Sequence, residues 1–184
     1  MNLRSIAHAT LLFLGFCHVA FAEPPQWRLN SLSATYGAGD NDIEDQFNRY
    51  VGVDLEFLEW RRTEQQIWTI GASVAQVRTD GDGPKVVNVL SFFPQLQLTL
   101  DRDFGFGKPV FLVRALGPSW ISENDLGTRS QRNHFAFHAR VSAGFQTDSG
   151  WYYGLSYQHF SNAGLSKINE GWDIPLNLTI TYRF

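Results

Sequence analysis

The sequence predicts an all-β chain that closes into an eight-stranded antiparallel transmembrane barrel, and three observations carry that reading. About eight segments alternate apolar and polar residues with period two, separated by clusters of turn-forming residues. The polar rows of those segments hold charged and amide side chains, as the packed polar interior of a small membrane barrel does. The chain is 15% aromatic and 43% hydrophobic, yet no apolar run reaches the length a spanning helix needs. In lipid, a closed barrel is the other structure that satisfies every backbone group.

The N-terminus reads as an export signal. Arg4 supplies the positive charge, an apolar stretch runs from about Ala7 to Phe21, and Ala20-Phe21-Ala22 forms a cleavage site before Glu23. Residues 1–22 are expected to be removed, leaving residues 23–184 as one barrel domain. Cys17 would suggest a lipid anchor, but Phe16 stands before it where a small residue is expected. The only Cys and the only Met lie in this segment, so the rest of the chain has no disulfide or thiol chemistry. The formal charge is −3 and becomes one unit more negative without Arg4. With no basic run, nucleic acid is excluded as a partner.

The first strand is expected near Trp27–Tyr36, followed by a loop through Gly37-Ala38-Gly39-Asp40-Asn41-Asp42. The second, near Tyr50–Trp60, sets Val51, Val53, Leu55 and Phe57 against Gly52, Asp54 and Glu56. The third, Ile67–Val77, puts Trp68, Ile70, Ala72 and Val74 on one face. The fourth, near Val86–Leu100, alternates Leu90, Phe92, Leu96 and Leu98 with Ser91, Gln95, Gln97 and Thr99. The fifth covers about Pro109–Ile121, and the sixth, Asn133–Gln146, pairs Phe135, Phe137 and Val141 against His134, His138 and Arg140. The seventh carries Trp151, Tyr153, Leu155 and Tyr157 on one face. The eighth, Ile174–Phe184, sets Ile174, Leu176, Leu178, Ile180 and Tyr182 against Asn177, Thr179, Thr181 and Arg183.

A soluble β-sandwich also alternates. The barrel is favoured because Asp54, Glu56, Gln95, Gln97, Arg114, His138, Arg140 and Arg183 suit the packed polar interior of a small membrane barrel. The closing Thr181-Tyr182-Arg183-Phe184 also resembles the C-terminal signal of bacterial outer-membrane barrels. Connections after strands one, three, five and seven are mostly the longer ones. Outer-membrane barrels keep their longer loops outside, so the seventh strand would end at the outer leaflet.

At that end stand His159 and Ser161. Residues two apart on a strand leave the same face, with Cα atoms roughly 7 Å apart, so an imidazole can reach a serine hydroxyl. Both share the face of Tyr153, Leu155 and Tyr157. A nucleophile and base on an apolar outer wall point to an ester hydrolase acting on a lipid. His-x-Ser is weak by itself and needs its context; the alternative is a strand-end histidine without catalytic work.

That context is His159-Phe160-Ser161-Asn162-Ala163-Gly164-Leu165, followed by Asn169-Glu170-Gly171-Trp172-Asp173 and a terminal strand. It resembles the lipid A 3-O-deacylases of the PagL family over about the last thirty residues. The resemblance implies an outer-membrane esterase that removes the acyl chain ester-linked at position 3 of lipid A. Lipopolysaccharide and the surrounding outer-membrane lipids would be its partners, with a homodimer left open. The family's serine and histidine fall on Ser161 and His159. Its acid, a glutamate twelve residues after the serine, falls on Asp173, with Glu170 as the alternative. An aspartate the family carries about twenty residues before the histidine falls on Ala139, a departure.

Asn162 and Gly164 suit an oxyanion hole of preorganised N–H donors, and equally a plain turn. No motif calls for a cofactor or metal: His134 and His138 would lie roughly 13 Å apart along their strand, and Gly105-Phe106-Gly107-Lys108 lacks the spacing of a phosphate loop. An outer-membrane phospholipase and a non-enzymatic small barrel remain as competing functions.

Overall fold

The computed structural model describes residues 24–41 and 46–184, so the export segment assigned to residues 1–22 lies outside the described residues. The strands are β1 (Gln26–Asn41), β2 (Gln46–Arg61), β3 (Gln66–Thr79), β4 (Val86–Thr99), β5 (Lys108–Ile121), β6 (Asp125–Leu126), β7 (Arg129–Ser130), β8 (Phe135–Gln146), β9 (Trp151–Ser161) and β10 (Trp172–Arg183). Eight of them close into a barrel in the order β1-β10-β9-β8-β5-β4-β3-β2, while β6 and β7 form a small separate hairpin. Every neighbouring pair in the barrel is antiparallel. Closure leaves no unpaired edge.

Period-two alternation sorts the side chains as the sequence predicts. Outside stand Val53, Leu55, Val74, Leu90, Phe92, Leu155 and Leu178, each at least 42% exposed, which is the apolar belt a bilayer demands of a barrel. Inside, Asp54, Glu56, Gln95, Gln97, Arg114, His138 and Arg140 are buried. Buried charges are tolerable only when paired. Asp54 Oδ2 meets Arg114 at 2.9 Å and Arg140 at 2.7 Å. Gln158 Oε1 accepts from Arg140 at 3.0 Å, and Gln158 Nε2 donates to Asn177 Oδ1 at 2.6 Å. This chain of contacts ties β2, β5, β8, β9 and β10 through the lumen. Near the end carrying β9's C-terminus the filling turns apolar. Tyr50, Ile121, Phe160, Trp172 and Ile174 pack there with Leu126 from the β6–β7 hairpin.

Two expectations need correction, and the structure adds one element. Gly37–Asn41 continues β1 instead of forming a loop, pairing through Asn41↔Gln46. Its glycines are sites of close approach: a Cβ on Gly39 would stand 2.2 Å from Pro175 Cγ, and one on Gly37 1.8 Å from Asn177 Oδ1. The β6–β7 hairpin within the long connection after β5 was not foreseen, because its strands are two residues each and carry no period. Ile174 is fully buried rather than on the outer row, because β10 is bulged between Ile174 and Asn177. Connections 80–85, 122–134 and 162–171 lie at the end of the barrel where β9 finishes, with 62–65, 100–107 and 147–150 at the other.

Candidate active site

Along β9 the exposed row Trp151, Tyr153, Leu155 and Tyr157 continues into His159 and Ser161, both half-buried, while Gln158 and Phe160 between them point inward and are fully buried. The inward pair holds the outward pair still. Phe160 stacks on His138 at 4.3 Å between centroids and on Trp172 at 6.0 Å. Aromatic packing of this kind fixes the backbone from which His159 and Ser161 project.

Asp173 stands on β10 directly opposite His159. The bulge after Ile174 places Pro175 and Leu176 against the single Tyr157, so residues before it swap faces. Trp172 and Ile174 therefore enter the lumen and Asp173 leaves it. Asp173 Oδ1 lies 2.6 Å from His159 Nδ1 and accepts a hydrogen bond from Tyr157 Oη at 2.5 Å. The imidazole is 39% exposed and the carboxylate 17%. Gly171 leaves the space that the ring fills, since a Cβ there would sit 2.8 Å from His159 Cε1. A carboxylate on Nδ1 fixes the ring orientation and leaves Nε2 to take a proton.

Glu170 does something different. Its Oε2 accepts from the Ser130 amide at 2.9 Å, and its own amide donates to Ser130 O at 3.0 Å. Asn162 is fully buried, and its Nδ2 lies within 2.8 Å of Gln131 O, Ser166 Oγ and Ile168 O. The Asn162 amide donates to Asn169 Oδ1 and the Gly164 amide to Asn162 Oδ1, each at 2.9 Å. Both donors expected for an oxyanion hole are thus engaged in building loop 162–171. The amide of Ala163, at a φ of 55°, stands outside that network. Gln131, fully buried, adds a bond from Nε2 to Glu170 O at 3.0 Å, and Arg129 Nε reaches Gly171 O at 3.0 Å. The β6–β7 hairpin therefore straps the loop down.

Ala139 on β8 is the register partner of His159, on the side away from Asp173. Sequence reasoning missed Tyr157, Gly171 and Gln131 as parts of the site. Tyr157 had a legible signal, being two residues before His159 on its face; Gln131 had none.

The family model for lipid A 3-O-deacylase (PagL) matches residues 27–183. The lipid A deacylase PagL of Bordetella bronchiseptica is 32% identical over 78 residues, which is 42% of this chain and 43% of that protein's length. The chain also resembles the crystal structure of the outer membrane enzyme PagL, with a TM-score of 0.62 and 22% identity over 84% of this chain and 99% of that one. At that identity the likeness speaks for the fold. With a family match running from the first strand to the last, the chain belongs to the lipid A 3-O-deacylase (PagL) family.

Proposed function

We propose that the protein is an outer-membrane esterase that hydrolyses the 3-O-linked acyl chain of lipid A through Ser161, His159 and Asp173. The observation that carries this reading is the 2.6 Å contact between His159 and Asp173 on a lipid-facing wall, with Ser161 two residues along the same row. His159 Nε2 takes the proton as Ser161 Oγ attacks the ester carbonyl, and Asp173 stabilises the imidazolium. The tetrahedral intermediate collapses, the sugar hydroxyl leaves with the proton from His159, and the acyl group stays on Ser161. Water, activated by the same imidazole, then releases the fatty acid. We assign the Ala163 amide to the developing oxyanion, because those of Asn162 and Gly164 are taken.

We place the end with connections 62–65, 100–107 and 147–150 in the periplasm, because such barrels keep their longer loops outside and the two longest connections, 122–134 and 162–171, lie at the other end; the site then belongs to the outer leaflet, where lipopolysaccharide resides. Mass spectrometry of lipid A from cells expressing the chain tests the proposal. Loss of one 3-hydroxyacyl chain is expected, and neither Ser161→Ala nor His159→Asn should produce it while both remain heat-modifiable barrels. Fatty acids released from phospholipid instead would make the protein a phospholipase. Unchanged lipids would leave a non-enzymatic barrel.

A further inference from the structure

We propose that the wall of β2 and β3 carries a second, non-catalytic site for a phosphorylated lipid, held by its headgroup phosphate. The inference rests on the reading of this wall as membrane-facing. The arginine pair lies remote from His159, since β3 and β9 lie opposite each other in the closed order, while the apolar concavity beside it runs across β1 as far as Leu178 and Ile180 on β10.

Arg49 and Arg78 are direct cross-strand partners, both exposed on the outer wall at the same end of the barrel as His159. Each is held in place. Arg49 lies over the Phe47 ring at 5.1 Å, and Arg78 Nε donates to Gln76 Oε1 at 2.7 Å. Like charges directly opposite one another weaken an antiparallel pair. Among the described residues neither arginine joins an ion pair. An anion between them reverses the sign of that interaction. Both side chains line one recess, and guanidiniums carry the forked donors that match phosphate oxygens.

What lies beneath them specifies the rest of the ligand. A recess of about 260 Å³ around the two arginines shares Tyr36, Val51 and Gln76 with an apolar concavity of about 780 Å³ on the outer wall. The smaller Val51, Val53 and Val74 line that concavity together with the larger Tyr36, Leu90 and Trp120. An apolar wall by itself accepts any acyl chain. A guanidinium pair continuous with the wall selects a lipid whose headgroup carries phosphate.

The test uses the full-length protein folded in neutral detergent, with native mass spectrometry reading the lipid retained. The probes are phosphatidic acid, the diacylglycerol with the same chains, and inorganic phosphate. Phosphatidic acid should be retained, diacylglycerol and inorganic phosphate far less. R49Q/R78Q should weaken retention by about tenfold or more, as expected for losing charge-assisted hydrogen bonds. V74W should also weaken it with both arginines intact, and raised salt should weaken it in the unaltered chain, so the result does not depend on one variant folding. Equal retention by R49Q/R78Q, equal retention of diacylglycerol, or inorganic phosphate bound as tightly as the lipid would each overturn the site. Deacylation of lipid A without phosphatidic acid retention sinks this inference alone. Retention without deacylation sinks the proposed activity alone.

Discussion

His159 Nδ1 meets Asp173 Oδ1 at 2.6 Å because β10 carries one residue more than β9 between them and the membrane belt. With unbroken alternation, the row Leu176, Leu178 and Ile180 would extend outward through Ile174 and send Asp173 into the lumen. The bulge at Pro175 and Leu176 reverses that for every residue before it. It costs the sheet one unpaired residue and re-aims an acid at a base, a common use of bulges beside active sites.

Gly39 gives the bulge its room, since any Cβ there would overlap Pro175. Gly39→Val should therefore displace Pro175 and swing Asp173 from His159. Deacylation should fall by roughly 10²-fold, the order of loss that about 1 Å of misplacement brings, while the barrel stays heat-modifiable. Turnover like that of the unaltered chain would show that the bulge does not place the acid.

Asp173→Asn should lower kcat by about 10³- to 10⁴-fold, because the amide favours the wrong tautomer and cannot stabilise the imidazolium. Glu170→Gln should change kcat little, since that carboxylate caps the Ser130 amide instead of facing His159. Steady-state rates on lipid A in micelles check both. The reverse order would make Glu170 the acid.

The barrel was legible because polar Asp54, Arg114 and Arg140 alternate with Leu55, Val113 and Val141, a pattern that survives any error in strand ends. The His159–Ser161 pair was legible for the same reason, since spacing along one strand fixes facing. Asp173 could be chosen by likeness but not by geometry: a bulge has no period, and unbroken parity sends that residue inward. Gly37 and Gly39 misled because glycine marks both turns and close approach. The long-range bonds of Gln131 to Glu170 and Asn162 depend on how the loop after β5 folds over the barrel mouth, which no local pattern encodes.

Tyr157 donates the second short hydrogen bond to Asp173 Oδ1, at 2.5 Å. Tyr157→Phe removes that donor and keeps the ring on the outer wall. A fall in kcat of about 3- to 10-fold is expected, in line with the net worth of about 0.5–1.5 kcal/mol for one hydrogen bond. KM should hold, because the ring's apolar surface is unchanged. An unaltered kcat would mean that the Tyr157 bond does not position the carboxylate.

Asn162→Ala tests whether that side chain builds the loop or meets the substrate. Its buried Nδ2 lies against Gln131 O, Ser166 Oγ and Ile168 O; the change removes these three bonds, each worth about 0.5–1.5 kcal/mol net, while the Ser166 hydroxyl still reaches both carbonyls. Loop 162–171 should loosen, so trypsin should cut at exposed Lys167 faster as kcat falls. Reduced kcat with an equally protected Lys167 would return Asn162 to the oxyanion itself.

Under the proposed activity, the two outward rows beside the site offer the acyl chain a place. Tyr153, Leu155 and Tyr157 on β9 are 45–56% exposed, and Leu176 and Leu178 on β10 are 58% and 51%. Ile174 is not part of this surface, because the bulge turns it inward. The rows run from the His159 end toward the barrel's middle, so a chain lying between them keeps its ester beside Ser161. Any membrane barrel exposes such a belt; a change in chain-length selectivity is what marks a groove. Leu176 sits in the bulge opposite Tyr157, nearest the site. Leu176→Trp should narrow the space there and shift the preferred acyl length toward shorter chains, measured as relative kcat/KM across lipid A species of differing 3-O-acyl length. Unchanged preference in a folded Leu176→Trp barrel would place the chain elsewhere on the wall.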